Sequence, residues 1–338
     1  MKLLVTGGAG FIGSNFIRYW LRNHPGDFII NVDKLTYAGN RSNLDGLPAA
    51  HEFRQADICD PSVSEFMKGA DCVVHFAAES HVDRSIDAAE VFVQTNVLGT
   101  QRLLEAARRE RVSLFIQIGT DEVYGALGES GEFTEQTPLQ ANSPYSASKA
   151  AADLLARSYF HTFGLPVIIT RCTNNYGPYQ HPEKFIPLMT TNALQDKPIP
   201  VYGKGAQIRE WIHVEDHCRG LEQVIRRGRP GEIYNLGSGH RMNNLQVAET
   251  ILKLLGKPSS LIRFVADRPG HDFRYAVDSS KARRDLGWRH EVEWEAGLRQ
   301  TVDWYRENHA WVAAVRGDTY DKYYSRVYEK RDQFLNKL

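Results

Sequence analysis

Thr120, Asp121 and Glu122 stand in a row, and further along the chain comes Tyr145-Ser146-Ala147-Ser148-Lys149. A tyrosine and a lysine four positions apart share one face of a helix. An ammonium so placed stabilises a phenolate and lowers the phenol's pKa, which makes Tyr145 a candidate base for drawing the proton from an alcohol. One base is enough to oxidise an alcohol. The two carboxyl groups add a further acid and a further base, and point to a bond broken after the oxidation. Alone, each signal is weak: an Asp-Glu pair is equally a solvated turn, and a Tyr-x-x-x-Lys is equally a ring resting on a lysine stem. Their weight comes from the elements that must position them.

Through the first half, short apolar runs alternate with longer amphipathic stretches. Residues 3–5, 28–32, 72–76, 114–118 and 167–170 read as buried parallel strands, and residues 11–22, 88–109 and 144–163 as helices. That rhythm predicts an α/β fold, a doubly wound parallel Rossmann-type sheet, with Thr120 at the C-terminal end of a strand where such sheets bind cofactors. After Arg171 the rhythm breaks among Pro178, Pro182, Pro187, Pro198 and Pro200. The 338 residues exceed the usual size of one core. The expected division is a cofactor domain over 1–171 and a smaller, discontinuous α/β substrate domain over 172–338, with a strand near 232–236 rejoining the main sheet.

Thr6-Gly7-Gly8-Ala9-Gly10-Phe11-Ile12-Gly13 follows the first strand and opens the first helix. Glycines at 7, 10 and 13 permit a tight turn and close approach of backbone to a pyrophosphate, and the helix N-terminus supplies amide donors. Asp33, at the end of the second strand, lies where a carboxylate hydrogen-bonds the adenosine ribose. An acid there repels a 2′-phosphate, so the expected cofactor is NAD rather than NADP, Lys34 beside it notwithstanding. Asp57 and Ile58, read as ending the third strand, face the adenine in this scheme; Asp57 equally reads as a cap before Pro61. Phe76-Ala77-Ala78 ends the fourth strand with small residues against the cofactor.

The glycine loop, Asp33-Lys34-Leu35-Thr36-Tyr37-Ala38-Gly39-Asn40, the stretch from His75 to Ser85, Thr120-Asp121-Glu122-Val123-Tyr124-Gly125, Arg171-Cys172-Thr173-Asn174-Asn175-Tyr176-Gly177-Pro178 and Arg268-Pro269-Gly270-His271-Asp272 together resemble the extended short-chain dehydrogenase/reductases. Within them they resemble the nucleotide-sugar 4,6-dehydratases that act on dTDP-glucose. The resemblance spans nearly the whole chain. Thr173 stands where the family usually has Ser, and Phe273 where a more polar residue is common.

The resemblance implies a three-step reaction. Tyr145 takes the proton of the glucose 4-hydroxyl while hydride leaves C4 for NAD; Lys149 supports the phenolate and Thr120 hydrogen-bonds the 4-oxygen. Glu122 then removes the C5 proton and Asp121 protonates the departing C6 hydroxyl. Hydride returns to C6 and a proton to C5, giving dTDP-4-keto-6-deoxyglucose. Adjacent carboxyls in opposite protonation states require divergent environments. By the same resemblance, Gly7, Gly10, Phe11, Ile12, Gly13, Asp33, Lys34, Leu35, Thr36, Asp57, Ile58, Phe76, Ala77, Ala78, Thr95, Tyr145, Lys149 and Asn175 hold the cofactor. Ser80 and Asn174 contact hexose and diphosphate; Lys184, Arg209 and Arg268 clamp diphosphate and sugar, a task suited to arginine's planar fork. Pro200, Val201 and Tyr202 flank the thymine, Asn244 its ribose or phosphate, and His271 the nucleotide. The helices at 88–109 and 144–163 pair across a two-fold axis in this superfamily, so a homodimer is expected. A 4-epimerase shares the cofactor loop, Tyr145 and Lys149 but has no need of the acid pair. A dehydratase of another nucleotide sugar and a non-catalytic dinucleotide sensor are the other readings.

Composition excludes other classes. Basic and acidic side chains number 41 each and the pI is near 7.2, so bulk charge offers no hold on nucleic acid or a membrane surface. Cys59, Cys72, Cys172 and Cys218 lack metal-binding spacing, and no metal is expected. The start runs straight into the glycine loop without a signal-peptide pattern, and no segment has the length of a membrane span. A soluble, cytoplasmic, reduced protein is expected.

Overall fold

The computed structural model of the chain describes residues 1–267, 270–329 and 331. In chain order the strands are β1 (Lys2–Thr6), β2 (Phe28–Asp33), β3 (His51–Gln55), β4 (Cys72–His75), β5 (Leu114–Thr120), β6 (Val167–Cys172), β7 (Asn174–Tyr176), β8 (Ile199–Tyr202), β9 (Ile208–His213), β10 (Ile233–Leu236), β11 (Arg241–Asn243) and β12 (Ile262–Val265). The α-helices are α1 (Phe11–Asn23), α2 (Val63–Phe66), α3 (Val82–Asp87), α4 (Ala89–Phe92), α5 (Thr100–Arg109), α6 (Pro144–Phe163), α7 (Phe185–Leu194), α8 (Val214–Arg227), α9 (Asn244–Leu255), α10 (Ser280–Leu286), α11 (Trp294–Glu307) and α12 (His309–Tyr324).

Seven strands form one sheet in the order β10-β6-β5-β4-β1-β2-β3, with every neighbouring pair parallel. This is the doubly wound α/β class that the alternating pattern predicts. Its central strands are buried on both faces, which is why they read as continuous apolar runs. One face packs on α1 and α8 through Phe16, Trp20 and Leu221; the other packs on α5 and α6 through Leu103, Leu104 and Ala156. Full burial of such a large apolar side chain contributes about 1.5–3 kcal/mol. The chain reverses direction across the sheet between β1 and β4, and ligands of such sheets bind beyond the strand ends at that point.

Two small sheets, β11-β9-β7 and β12-β8, lie outside the main one. They share a separate core with α7, α9 and α11, built on Ile186, Met189, Val201, Trp211, Val247 and Leu298.

Two helices position the site. In α6, Ser143 and Ser146 cap each other reciprocally, Pro144 opens the first turn, and Gly164 closes the helix at φ 71°. In α1, by contrast, the N-cap is Gly10, no side chain caps the helix, and its first turn holds no acidic residue. The stretch expected as one helix over 88–109 is instead α4, a π-helical turn over Val93–Gly99, and α5. Asn96 in that wide turn explains the break. Its side chain exchanges hydrogen bonds with the Glu79 backbone at 2.9 and 3.0 Å and donates to Ser148 Oγ at 2.9 Å. The π-turn thereby fastens the segment after β4 to α6.

Candidate active site

The glycine loop leaves a cradle that no larger residue fits. A Cβ on Gly7 would lie 2.5 Å from Ala77 N, and one on Gly13 would lie 2.3 Å from Gly7 O. The uncapped amides of α1 therefore face a cavity walled by Gly7, Gly10, Phe11, Ile12 and Gly13 on one side and by Phe76, Ala77 and Ala78 on the other. That donor set, with no carboxylate in the first turn, suits a pyrophosphate. Asp33 accepts from Ala9 N at 2.9 Å and Leu35 N at 2.8 Å. Burial raises its pKa against the pull of these two amides. Lys34, Thr36, Asp57, Ile58, Thr95 and Asn175 also line the cavity.

Two expectations change here. Leu35 adopts φ 59° and packs on the sheet's core, so its side chain is absent from the cavity wall; the loop turns it inward while Lys34 and Thr36 stay at the rim. Asp57 lies beyond the end of β3, because pairing stops at Gln55. There it pairs with Lys34 at 2.7 Å and accepts from Cys59 N at 2.8 Å. Burial raises the Asp57 pKa, but these partners outweigh it and leave the carboxyl below its ordinary range.

At the far end of the same cavity, β5 delivers Thr120 and a 3-10 turn over Asp121–Tyr124 follows. Thr120 Oγ1 donates to Asp121 Oδ1 and accepts from Glu122 N, both at 3.3 Å. Asp121 is buried, and its Oδ2 has no hydrogen-bond partner among the described residues. Burial, then the charges of Glu122 and Glu210, hold the Asp121 carboxyl well above the usual range, against weaker pulls from Arg209 and Thr120. Glu122, the next residue, borders both this cavity and a second one beside it.

Tyr145 and Lys149 project from α6 into the cavity. The expected lowering of the Tyr145 pKa is overturned. Burial pushes the phenol well up, Glu122, Cys172 and Asp121 push the same way, and only a hydrogen bond with Thr120 opposes them. Lys149 Nζ donates to the Ile118 carbonyl at 2.6 Å. Burial also lowers the Lys149 pKa, against the pull of Asp153 and Cys172.

The second cavity collects Ser80, Asn174, Lys184, Pro200, Tyr202, Arg209, Asn244 and His271. Ser80, Asn174 and Lys184 border both cavities, as Glu122 does. Lys184 Nζ donates to Ser80 O at 2.8 Å. Arg209 donates to the carbonyls of Ile208 and Asp272 at 2.8 and 3.0 Å, with its guanidinium 4.4 Å from the Tyr275 ring centre. Val201 does not join them: side chains alternate along β8, so Pro200 and Tyr202 face the cavity while Val201 is fully buried in the core. Arg268 lies outside the described residues. Sequence reasoning passed over Asp83, Tyr275 and Tyr328, which line this cavity, and Glu79, Cys172 and His181, which line the first. Cys172 was within reach, since it lies opposite Thr120 in the β5–β6 register. Tyr328 carried no signal, being far along the chain from every motif.

The profile of the family described as GDP-mannose 4,6 dehydratase matches residues 4–301. The dTDP-glucose 4,6-dehydratase of Streptomyces niveus is 52% identical over 318 residues, covering 92% of this chain and 94% of that protein. The enzyme of the same name from Neisseria meningitidis is 50% identical, covering 94% and 97%. The crystal structure of dTDP-glucose 4,6-dehydratase from Streptomyces venezuelae with NAD and TYD bound matches with a TM-score of 0.91 at 52% identity, covering 93% of this chain and all of that one. UDP-glucuronic acid 4-epimerase from Bacillus cereus, crystallised with UDP-glucuronic acid and NAD, matches with a TM-score of 0.86 at 29% identity, covering 91% and 99%.

Proposed function

The chain belongs to the dTDP-glucose 4,6-dehydratase family, and from that premise we propose that it converts dTDP-glucose to dTDP-4-keto-6-deoxyglucose with NAD as a recycled cofactor. One observation carries the reading. Asp121 and Glu122 are neighbours in the chain, yet Asp121 is buried with its carboxyl held well above the usual range, while Glu122 opens onto both cavities. An elimination needs that pair, an acid and a base at one ring; an epimerisation does not.

The amides of α1 hold the pyrophosphate, Asp33 the adenosine ribose, Ile58 the adenine, and Tyr145 with Lys149 the nicotinamide ribose. NAD, when bound, would accept the hydride lost from sugar C4 and give it back at C6. Tyr145 Oη takes the 4-hydroxyl proton as a phenolate, a form that the positive charge of a bound nicotinamide would favour against the burial that raises its pKa, with Thr120 Oγ1 orienting the 4-oxygen. Glu122 draws the proton from C5, acidified by the 4-ketone, and Asp121 gives its proton to the C6 hydroxyl, which leaves as water; hydride return to C6 is then matched by a proton returned to C5. The diphosphate lies along Lys184 and Arg209, and the thymine between Pro200 and Tyr202. Exposed Val91, Val93, Leu98 and Leu154, on α4, the π-helical turn and α6, support burial of this face in a homodimer. Among the described residues no helix is long and apolar enough to cross a membrane, and the four cysteines are free, which supports work in the reducing cytoplasm.

Purified protein incubated with dTDP-glucose should yield the 4-keto product, seen as its chromophore at alkaline pH. A 4-epimerase or a silent dinucleotide binder gives no such chromophore, and its absence would sink the reading.

A further inference from the structure

Arg84, on the short helix α3, is gripped from three directions. Its Nε and Nη2 donate to Glu183 Oε2 at 3.0 and 2.9 Å, and the Glu183 side chain is 1% exposed. Its guanidinium carbon lies 3.8 Å from the ring centre of Tyr37 and 4.3 Å from that of Tyr323. A planar, weakly hydrated cation suits this arrangement, and an ammonium does not.

Two of the three partners come from segments that line the cavities, and the third from a helix outside their walls. Tyr37 sits in the segment after β2 whose Lys34, Thr36, Ala38 and Gly39 line the cofactor cavity. Glu183 precedes α7 and borders the substrate cavity. Tyr323 belongs to α12, near the far end of the chain, and its ring also packs on His81 at 5.6 Å. The residue before Arg84 holds a fourth segment: Asp83 Oδ2 accepts from Tyr202 Oη at 3.0 Å. Segment 34–40 cannot swing away from the cofactor cavity without unstacking Tyr37 from Arg84.

We propose that Arg84 is a latch, a positioning residue that ties the cofactor-binding segment 34–40 to the C-terminal helix α12 and slows escape of NAD. The inference rests on the NAD-dependent reading above. A reaction in which the hydride removed from the sugar must return to the same sugar fails whenever the cofactor leaves midway, so a slow exit is a functional need.

The test uses the full chain loaded with NAD and freed of excess, with release followed by an NAD-consuming scavenger enzyme. Tyr37→Leu and Tyr323→Leu each remove one stacking face and keep both Arg84 and Glu183; Tyr37→Leu also removes a hydrogen bond to Glu183. Each should release NAD roughly tenfold faster, the factor corresponding to ~1.4 kcal/mol, within the range of a desolvated cation–π contact. Tyr323→Phe keeps the ring and should release NAD at the parent rate. Parent-like release from both leucine variants overturns the latch, as does equal acceleration in Tyr323→Phe and Tyr323→Leu, which would assign the effect to the hydroxyl. Unchanged thermal melting in Tyr323→Leu, alongside faster release, separates the latch from a general loss of fold. A parent chain that takes up no NAD at all overturns the functional reading together with the latch; a parent that binds NAD beside unaffected leucine variants overturns the latch alone.

Discussion

Lys149 Nζ donates to the carbonyl oxygen of Ile118 at 2.6 Å. This bond fastens α6 to the strand that ends in Thr120, so the helix bearing Tyr145 and the strand that leads into the acid pair hold one fixed relation. The lysine is first a tie between α6 and β5 and only then a charge.

Tyr145→Phe should therefore reduce turnover of dTDP-glucose by about 10²–10⁴-fold, the usual worth of a positioned base, while NAD binding persists. Lys149→Met loses both the charge and the tie to Ile118, and is expected to lower turnover and cofactor affinity together. Steady-state kinetics beside an NAD titration checks both, and undiminished turnover in Tyr145→Phe contradicts the assignment.

Asp121→Asn and Glu122→Gln are expected to fail at different points. In Glu122→Gln the first oxidation survives and the signal of reduced nicotinamide builds up, with no exchange of solvent deuterium into C5. In Asp121→Asn that exchange at C5 survives and loss of water from C6 slows by about 10²-fold or more. Mass spectrometry of the sugar after reaction in deuterated water distinguishes them; identical patterns in the two variants would show that the roles are not divided.

Stability should fall on mild acidification. Burial lowers the pKa of His75 and His217 to about 3, and of His81 and His213 to about 4, from an ordinary 6.5. The unfolded chain binds these protons near pH 6.5 and the folded chain only far lower. Their contribution is thus complete above 6.5 and is lost progressively as the pH falls through about 4 for His81 and His213 and about 3 for His75 and His217. His75 shows why the folded state resists: its ring nitrogens meet Thr6 Oγ1 at 2.7 Å and Thr100 Oγ1 at 3.0 Å, and Thr100 already donates to Asn96 O at 2.6 Å. Urea midpoints that stay level across this window would contradict the argument.

The glycines of the cradle should not be equivalent. A Cβ at position 13 meets Gly7 O at 2.3 Å, and one at position 7 meets Ala77 N at 2.5 Å with φ +73°, whereas at position 10 the one close neighbour is Gly7 O at 3.3 Å. Gly7→Ala and Gly13→Ala are expected to lose about 1–3 kcal/mol of stability from overpacking and most NAD affinity. Gly10→Ala should fold nearly as the parent does. Thermal melts with and without NAD give the ranking.

Much of this was legible in the chain. Alternating apolar runs announced the parallel sheet, since a strand buried on both faces has to be apolar throughout. Spacing of Gly7, Gly10 and Gly13 between a strand and a helix marked the cofactor loop. Other features were not legible. Val201 turned inward because only the pairing of β8 with β12 fixes which face of the strand meets the core. Leu35 left the cavity because of one positive φ. The grip on Arg84 joins residues from three distant stretches, and no local pattern foretells such a meeting.

The sequence by itself determined which elements form and which chemical groups stand at their ends, because hydrophobic period, glycine freedom and capping are local physics. The tertiary structure decided the state of those groups. The carboxyl of Asp121 and the phenol of Tyr145 both sit well above their ordinary ranges because burial, a property of the assembled surroundings, outweighs the charge of any single neighbour along the chain.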